Sequence, residues 1–348
     1  MLPDSVRDIG KRVEARIDEL LVAETARWAA VDPNLADPLD ALHRLALAGG
    51  KRLRPAFCLA AYVSAGGNED DDAIVDAGAA LELLHLFALI HDDVMDASDR
   101  RRNVPTVHVD FTARHGAARW RGEDRRFGEG VAILVGDLAF VYADLLLADA
   151  PRAALDLFTD LRLEVNVGQY LDLLGAVSAD SDVATARRIA LYKSGKYTVE
   201  RPLHLGAALA DRLDLVEPLS GYGVPLGEAF QLRDDVLGAF GDTALTGKPV
   251  GEDIREGKPT RLRAWATERT TGADARLLAA RYGAADITAE DVATIQHLLV
   301  DSGALAAAET EIARLVAEAR EALDKVDLAG EGRPRLQALA DFVAHRAH

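Results

Sequence analysis

The sequence is poor in the features that mark several large protein classes. It has one cysteine, Cys58, in 348 residues, so no intrachain disulfide and no thiolate zinc site can be built from it. The neighbours of Cys58 in AFCLAAYV are apolar, which reads as a packed core thiol. Aromatic residues make up 5% of the chain, and the alternating β-branched pattern of strands is missing. The apolar runs are interrupted, by Glu82 and His85 in one and by Asp137 and Asp144 in another. No stretch therefore offers the roughly 18 apolar residues of a membrane span. The first residues lack the apolar core of a signal peptide. The expectation is a soluble, cytoplasmic protein. Positive charge is also scarce: 40 Lys and Arg against 57 Asp and Glu leave a net charge of −17. Such a field repels nucleic acid, so any anion must be held by local basic clusters.

What is present is Ala, Leu and helical spacing. Val6, Ile9, Val13, Ile17, Leu20 and Leu21 form one stripe. Similar patterns cover 38–47, 55–64, 73–91, 130–148, 153–174, 184–209, 213–240, 274–281, 289–302 and 305–323. The predicted class is all-α, a large bundle of ten or more helices in one domain, 1–348. Segments 77–90 and 131–147 are apolar almost all round, as central helices are. Two stretches break the rhythm. RHGAARWRGEDRRFGEG (114–130) reads as a loop or a poorly packed insert, and GDTALTGKPVGEDIREGKPT (241–260) as a long polar loop.

An aspartate pair ends an apolar helix twice, in LIHDD (89–93) and QLRDD (231–235). Asp92 and Asp96 lie one helical turn apart on one face, where like charges repel. A hard divalent cation would relieve that repulsion, and magnesium shares such carboxylates with substrate phosphates. Asp234 and Asp235 form a weaker second set, since the position four residues after Asp234 is Gly238. Cations stand nearby in sequence: Lys51, Arg52 and Arg54 in GGKRLRP, Arg101 and Arg102 after the first cluster, Lys193 and Lys196 in YKSGK, then Lys248 and Lys258. Singly these are surface charges. Together they suggest two diphosphate sites, one held through metals and one by bare cations.

GGKRLRP, ELLHLFALIHDDVMDASDRRRNVPTVH, GDLAF, GQYLDLL, YKSGKYT and GEAFQLRDDVLGAFGDTALTGKPVGEDIREGK, in that order and spacing, resemble the trans-type polyprenyl diphosphate synthases. The motif-bearing core runs from about 42 to 260. The resemblance implies an isoprenoid-synthase fold around a central pocket, a homodimer, and dependence on about three magnesium ions, with manganese a substitute; a heterodimer is compatible with it. It implies that Asp92 and Asp96, supported by Asp93, hold two ions on the allylic diphosphate, and that Asp234, with Asp235 beside it, holds the third. Arg101, Lys193 and Lys248 would contact that diphosphate, with Lys258 closing a loop over it. Lys51, Arg54, His85 and Arg102 would hold isopentenyl diphosphate without metal. Ser194 and Gln231 would lie along the reacting carbons.

Three positions depart from the family pattern. Gly238 replaces the third aspartate of the second motif, Ser194 a more usual threonine, and Asn103 a glycine. Product length is read from the residues before Asp92. Phe87 five positions earlier, with Ala88 at the fourth, resembles geranylgeranyl (C20) diphosphate synthases, with Leu84 and Leu81 further along that face as a second barrier. Farnesyl (C15) or longer products are the alternatives. A terpene cyclase would not need Lys51, Arg54 and Arg102. A non-catalytic partner subunit would tend to lose the first aspartates or the cations.

Overall fold

The computed structural model describes residues 4–101, 104–177, 182–241 and 251–346. They fall into two compact units, residues 2–59 with 68–151, and residues 60–67 with 152–348. Both are helical. The only pairing of strands among the described residues is a two-residue antiparallel ladder, Arg100–Arg101 against Val104–Pro105.

The first unit contains α1 (Asp4–Ala29), α2 (Ala36–Leu47), the start of α3 (Leu53–Ser64), α4 (Asp72–Met95), α5 (Val107–Ala118) and α6 (Asp124–Leu146). The stripe read on α1 is its buried face: Val6, Ile9, Val13, Ile17 and Leu21 are almost fully enclosed. Helix α4 is buried nearly all round, with Leu81, Leu83 and Leu84 wholly enclosed. It packs close to α1 at Gly78, where a side chain would meet Val13 and Pro55. Among the described residues α4 is the one helix long and apolar enough to cross a membrane, and 67% of its apolar window is buried inside the protein.

The second unit holds α7 (Arg152–Val177), α8 (Val183–Ala190), a widened helical stretch (Leu191–Glu200), α9 (Arg201–Leu209) and α10 (Val216–Phe240). It continues with α11 (Glu252–Glu256), α12 (Arg261–Arg269), α13 (Gly272–Arg281), α14 (Ala289–Asp301), α15 (Ala304–Asp324) and α16 (Gly332–His345). Starts are set by local chemistry. Asp182 accepts from the Thr185 N–H at α8, Thr260 from the Arg263 N–H at α12, and Thr288 forms a capping box with Asp291 at α14.

The structure corrects the reading of 114–130 as a loop. Only 119–123 interrupt two regular helices. Arg119 (φ 53°) ends α5 in the left-handed region. Gly128, which looks like a breaker, is a contact surface: a side chain there would run into Thr112 and the His108 carbonyl. The glycine lets α5 and α6 lie close together. The segment 184–209 is not one helix but α8, the widened stretch and α9. Helices α12 and α16 were not among the periodic segments, because charged residues dilute their apolar stripes.

Candidate active site

In the first unit the cations and the first aspartates are held by α4 and the loop before α3. That loop turns through Gly49 (φ 88°) and Gly50 (φ 155°) and then through Arg52, which has φ 49°. A left-handed non-glycine residue is costly and persists only when its surroundings over-determine it. Here Arg52 is 4% exposed. Its guanidinium donates from Nε to Glu14 of α1 (3.1 Å), from Nη1 to Glu82 of α4 (2.5 Å), and from Nη2 to the Ala46 carbonyl (2.6 Å). Lys51 and Arg54, on either side of it, are half-buried. Glu82 lies one helical turn before His85, which is also half-buried. The Arg52 fork thus ties the loop that carries two candidate isopentenyl diphosphate ligands to the helix that carries a third. Sequence reading treated Arg52 as one more cation. Its burial is invisible in sequence, though the acidic Glu14 and Glu82 inside apolar stripes were a usable signal.

At the end of α4, Asp92 and Asp93 part company. Asp93 is 3% exposed and accepts from Arg101 Nε (2.7 Å) and Nη2 (2.6 Å). Burial pushes its carboxyl up, and Arg101 counters the shift. Asp92 keeps more solvent contact and lies 3.8 Å from Arg101 Nη2. Asp96 caps α4, its N–H bonded to the Asp92 carbonyl at 2.8 Å. Asp93 thus faces inward and anchors Arg101 while Asp92 keeps solvent contact, because a helix turns adjacent residues about 100° apart. Arg102 and Asn103 lie outside the described residues.

Phe87 is half-buried and meets Phe140 of α6 edge-on at 4.9 Å and His91 at 4.6 Å. Ala88 also keeps some exposure, whereas Leu84 and Leu81 are wholly enclosed.

The second unit holds the remaining candidates. Lys193 and Ser194 lie in the widened stretch 191–200, an under-wound π-helical run of the kind found at functional sites. Glycines let this stretch pack backbone to backbone. A side chain at Gly168 of α7 would overlap the Lys193 backbone, and one at Gly227 of α10 would overlap Gly195. Lys193 Nζ donates to Asp172 of α7 at 2.6 Å. Lys196 and Arg201 both bind Glu164, Lys196 at 2.8 Å and Arg201 at 2.7 Å from each of two donors.

On α10, Asp234 accepts from Arg346 Nη2 at 2.6 Å. That guanidinium stands 3.9 Å over the Phe230 ring and also donates to the Phe230 carbonyl. Asp235 is buried and accepts from Gln231 Nε2 at 2.8 Å. Burial pushes its carboxyl up to about 7, with Gln231 opposing. Asp235, like Asp93, faces inward, and Gln231 is its hydrogen-bond donor. Lys258 Nζ pairs with Asp253 (3.3 Å) and Glu256 (2.6 Å) of α11. Lys248 lies outside the described residues.

Among the described residues no three His, Cys, Asp or Glu side chains converge on one point. The carboxylates are paired with arginines and lysines instead. The donors that keep surface, Asp92, Asp96 and Asp234, are oxygen-only and half-buried. That chemistry suits a hard cation such as magnesium and excludes a soft-ligand site.

A family model described as polyprenyl synthetase matches residues 37–299. Geranylfarnesyl diphosphate synthase from Aeropyrum pernix is 33% identical over 310 residues, covering 86% of this chain and 91% of that protein. Geranylgeranyl diphosphate synthase from Saccharolobus solfataricus is 32% identical over 273 residues, 75% of each chain. Among solved structures, geranylgeranyl pyrophosphate synthase from Corynebacterium glutamicum, complexed with isoprenyl diphosphate and magnesium, superposes with a TM-score of 0.92 at 38% identity, covering 98% of this chain and 99% of that one.

Proposed function

The chain belongs to the polyprenyl synthetase family and is a trans-prenyltransferase, and from that premise we propose that it condenses isopentenyl diphosphate with C5 to C15 allylic diphosphates and stops at the C20 product. The observation that carries the product length is Phe87. It stands five residues before Asp92 and is backed by the Phe140 ring at 4.9 Å. Small Ala88 beside it leaves the approach open. A growing chain that starts at Asp92 would run down α4 and meet this aromatic pair.

Asp92, Asp96 and Asp234 would hold magnesium, which supplies positive charge to the allylic diphosphate as its C–O bond ionises. By the family resemblance, Arg101 of the first unit and Lys193 and Lys258 of the second would contact that same diphosphate. Lys51, Arg54 and His85 hold the second diphosphate, so its alkene faces the allylic carbon. The alkene's π electrons form the new C–C bond. A proton is then lost to the released diphosphate, which leaves the enzyme with no separate base to provide. Ser194 presents its hydroxyl near the reacting carbons. Asp93 and Asp235 fix Arg101 and Gln231 from within.

The chain works as a single catalytic domain and as a homodimer. Two helices carry apolar stripes that water covers in the single chain. On α6 these are Leu134, Val141 and Leu145; on α7 they are Leu163, Val167, Tyr170 and Leu174. Such stripes at helical spacing on a soluble enzyme mark an association face.

The test is incubation with magnesium, labelled isopentenyl diphosphate and each of the C5, C10 and C15 allylic diphosphates, with the products dephosphorylated and sized. A C20 alcohol from all three primers is expected. A product that stops at C15, or one that runs beyond C20, would overturn the reading of Phe87, and no elongation would overturn the enzyme assignment.

A further inference from the structure

Residues 191–200 are wound more loosely than an α-helix, a form rare enough to need support from its surroundings. The last wide turn is closed by the Arg201 N–H, which donates to the Lys196 carbonyl five residues back. The side chains of these same two residues converge on one carboxylate, Glu164 of α7. Lys196 Nζ donates to Glu164 Oε1 at 2.8 Å. Arg201 grips both oxygens, Nε on Oε2 and Nη2 on Oε1, each at 2.7 Å. All three side chains are half-buried. Burial would raise the Glu164 carboxyl, but Arg201 and Lys196 outweigh it and hold it below the usual carboxylate range.

The spacing of the two cations decides what this carboxylate can do. In an α-helix each residue turns about 100°, so residues five apart point about 140° away from one another. One carboxylate is then poorly placed to bind both. In a helix closed from i to i+5 the two residues stand about one turn apart and can meet it together. Glu164 therefore has more to bind in the wide form than in the α form, and that difference favours the wide form. The same face of α7 holds the start of the stretch. Gly168, four residues on, is where the Lys193 backbone lies against α7, and Asp172, four further, accepts from Lys193 Nζ at 2.6 Å.

We propose that Glu164 is a positioning residue: by binding Lys196 and Arg201 across the last wide turn, it holds residues 191–200 in the form that presents Lys193 to the allylic diphosphate. The proposal rests on the reading of Lys193 as a contact of that diphosphate.

Steady-state kinetics with the C15 allylic diphosphate and isopentenyl diphosphate compare the wild type, E164Q, K193A and E164Q/K193A, with melting temperatures as a check on folding. E164Q is expected to raise KM for the allylic substrate about tenfold, as for the loss of one charged hydrogen bond, and to leave KM for isopentenyl diphosphate unchanged. Because Glu164 acts through Lys193, the double variant should be no worse than K193A. Effects that multiply in the double variant would overturn the inference, and so would an equal rise in both KM values, the mark of a general loss of structure. A wild-type allylic KM in E164Q beside a raised one in K193A would overturn the inference alone. A wild-type allylic KM in K193A would overturn the reading of Lys193 and the inference with it. Should E164Q fail to fold, R201K keeps the charge and loses the fork, with an expected rise of about threefold in the allylic KM. A wild-type value there would overturn the inference.

Discussion

At the scale of single residues, one buried arginine does more than the motif around it suggests. Arg52 joins α1, α4 and the loop before α3, and removing its fork leaves Glu82 buried and unpaired. In R52K, which keeps the charge but not the fork, KM for isopentenyl diphosphate should rise about tenfold (~1.4 kcal/mol), while KM for the allylic diphosphate holds. An equal rise in both would show a general loss of structure instead. Phe87 makes a second residue-scale prediction: F87A should shift the product beyond C20, read by sizing the dephosphorylated alcohols. An unchanged C20 product would place the floor elsewhere. The residue types of the site were legible in sequence because carboxylate pairs and cation runs have few uses at helix ends. Their directions were not. Whether Asp93 faces a cation or Arg101 depends on which side of α4 is packed, and that is a property of the neighbouring helices.

At the scale of elements, the second unit shows why helix existence was readable while helix form was not. Periodicity covers 184–209 as one run, yet residues 191–200 widen to bring Lys193 and Ser194 round. The glycines that permit it, Gly168, Gly195 and Gly227, look like breakers in sequence and act as contact surfaces between backbones. A neighbouring element offers a pH test. His204 on α9 is 2% exposed. Its Nδ1 faces Arg201 Nη1 at 3.3 Å and its Nε2 faces Ser220 Oγ at 2.9 Å, while Ser220 donates to Glu200 at 2.8 Å. That network fits a neutral ring, and burial first of all holds its pKa down to about 4. The unfolded chain takes up this proton below about 6.5. The stabilisation is therefore present above pH 6.5 and is lost as pH falls from 6.5 to 4, by at most about 1.4 kcal/mol per pH unit. Melting temperature should drop over that window in the wild type and drop less steeply in H204Q. Parallel curves for the two proteins would rule His204 out as the source.

At the scale of the whole molecule, the exposed stripes on α6 and α7 make the third kind of prediction. L134D and L163D should each lower the mass in solution to that of one chain, measured by light scattering, with melting temperature little changed. A dimer that persists in both would move the association face elsewhere. The helical class was legible from composition and period alone, because Ala- and Leu-rich amphipathic runs have few other ways to bury their apolar sides. The division into two compact units was not, since nothing in the punctuation at 60, 67 or 151 differs from other turns. The enclosure of α4 has a further bearing on how such an enzyme can change over generations. A single inserted residue between Phe87 and Asp92 would rotate everything beyond it by about 100°, exchanging the roles of the paired aspartates. On the proposed reading of Phe87, variation in product size would come through swaps of side-chain bulk at half-exposed places such as Phe87, Ala88 and Phe140. A lineage can step between chain lengths by point mutation while the length of the helix itself stays fixed.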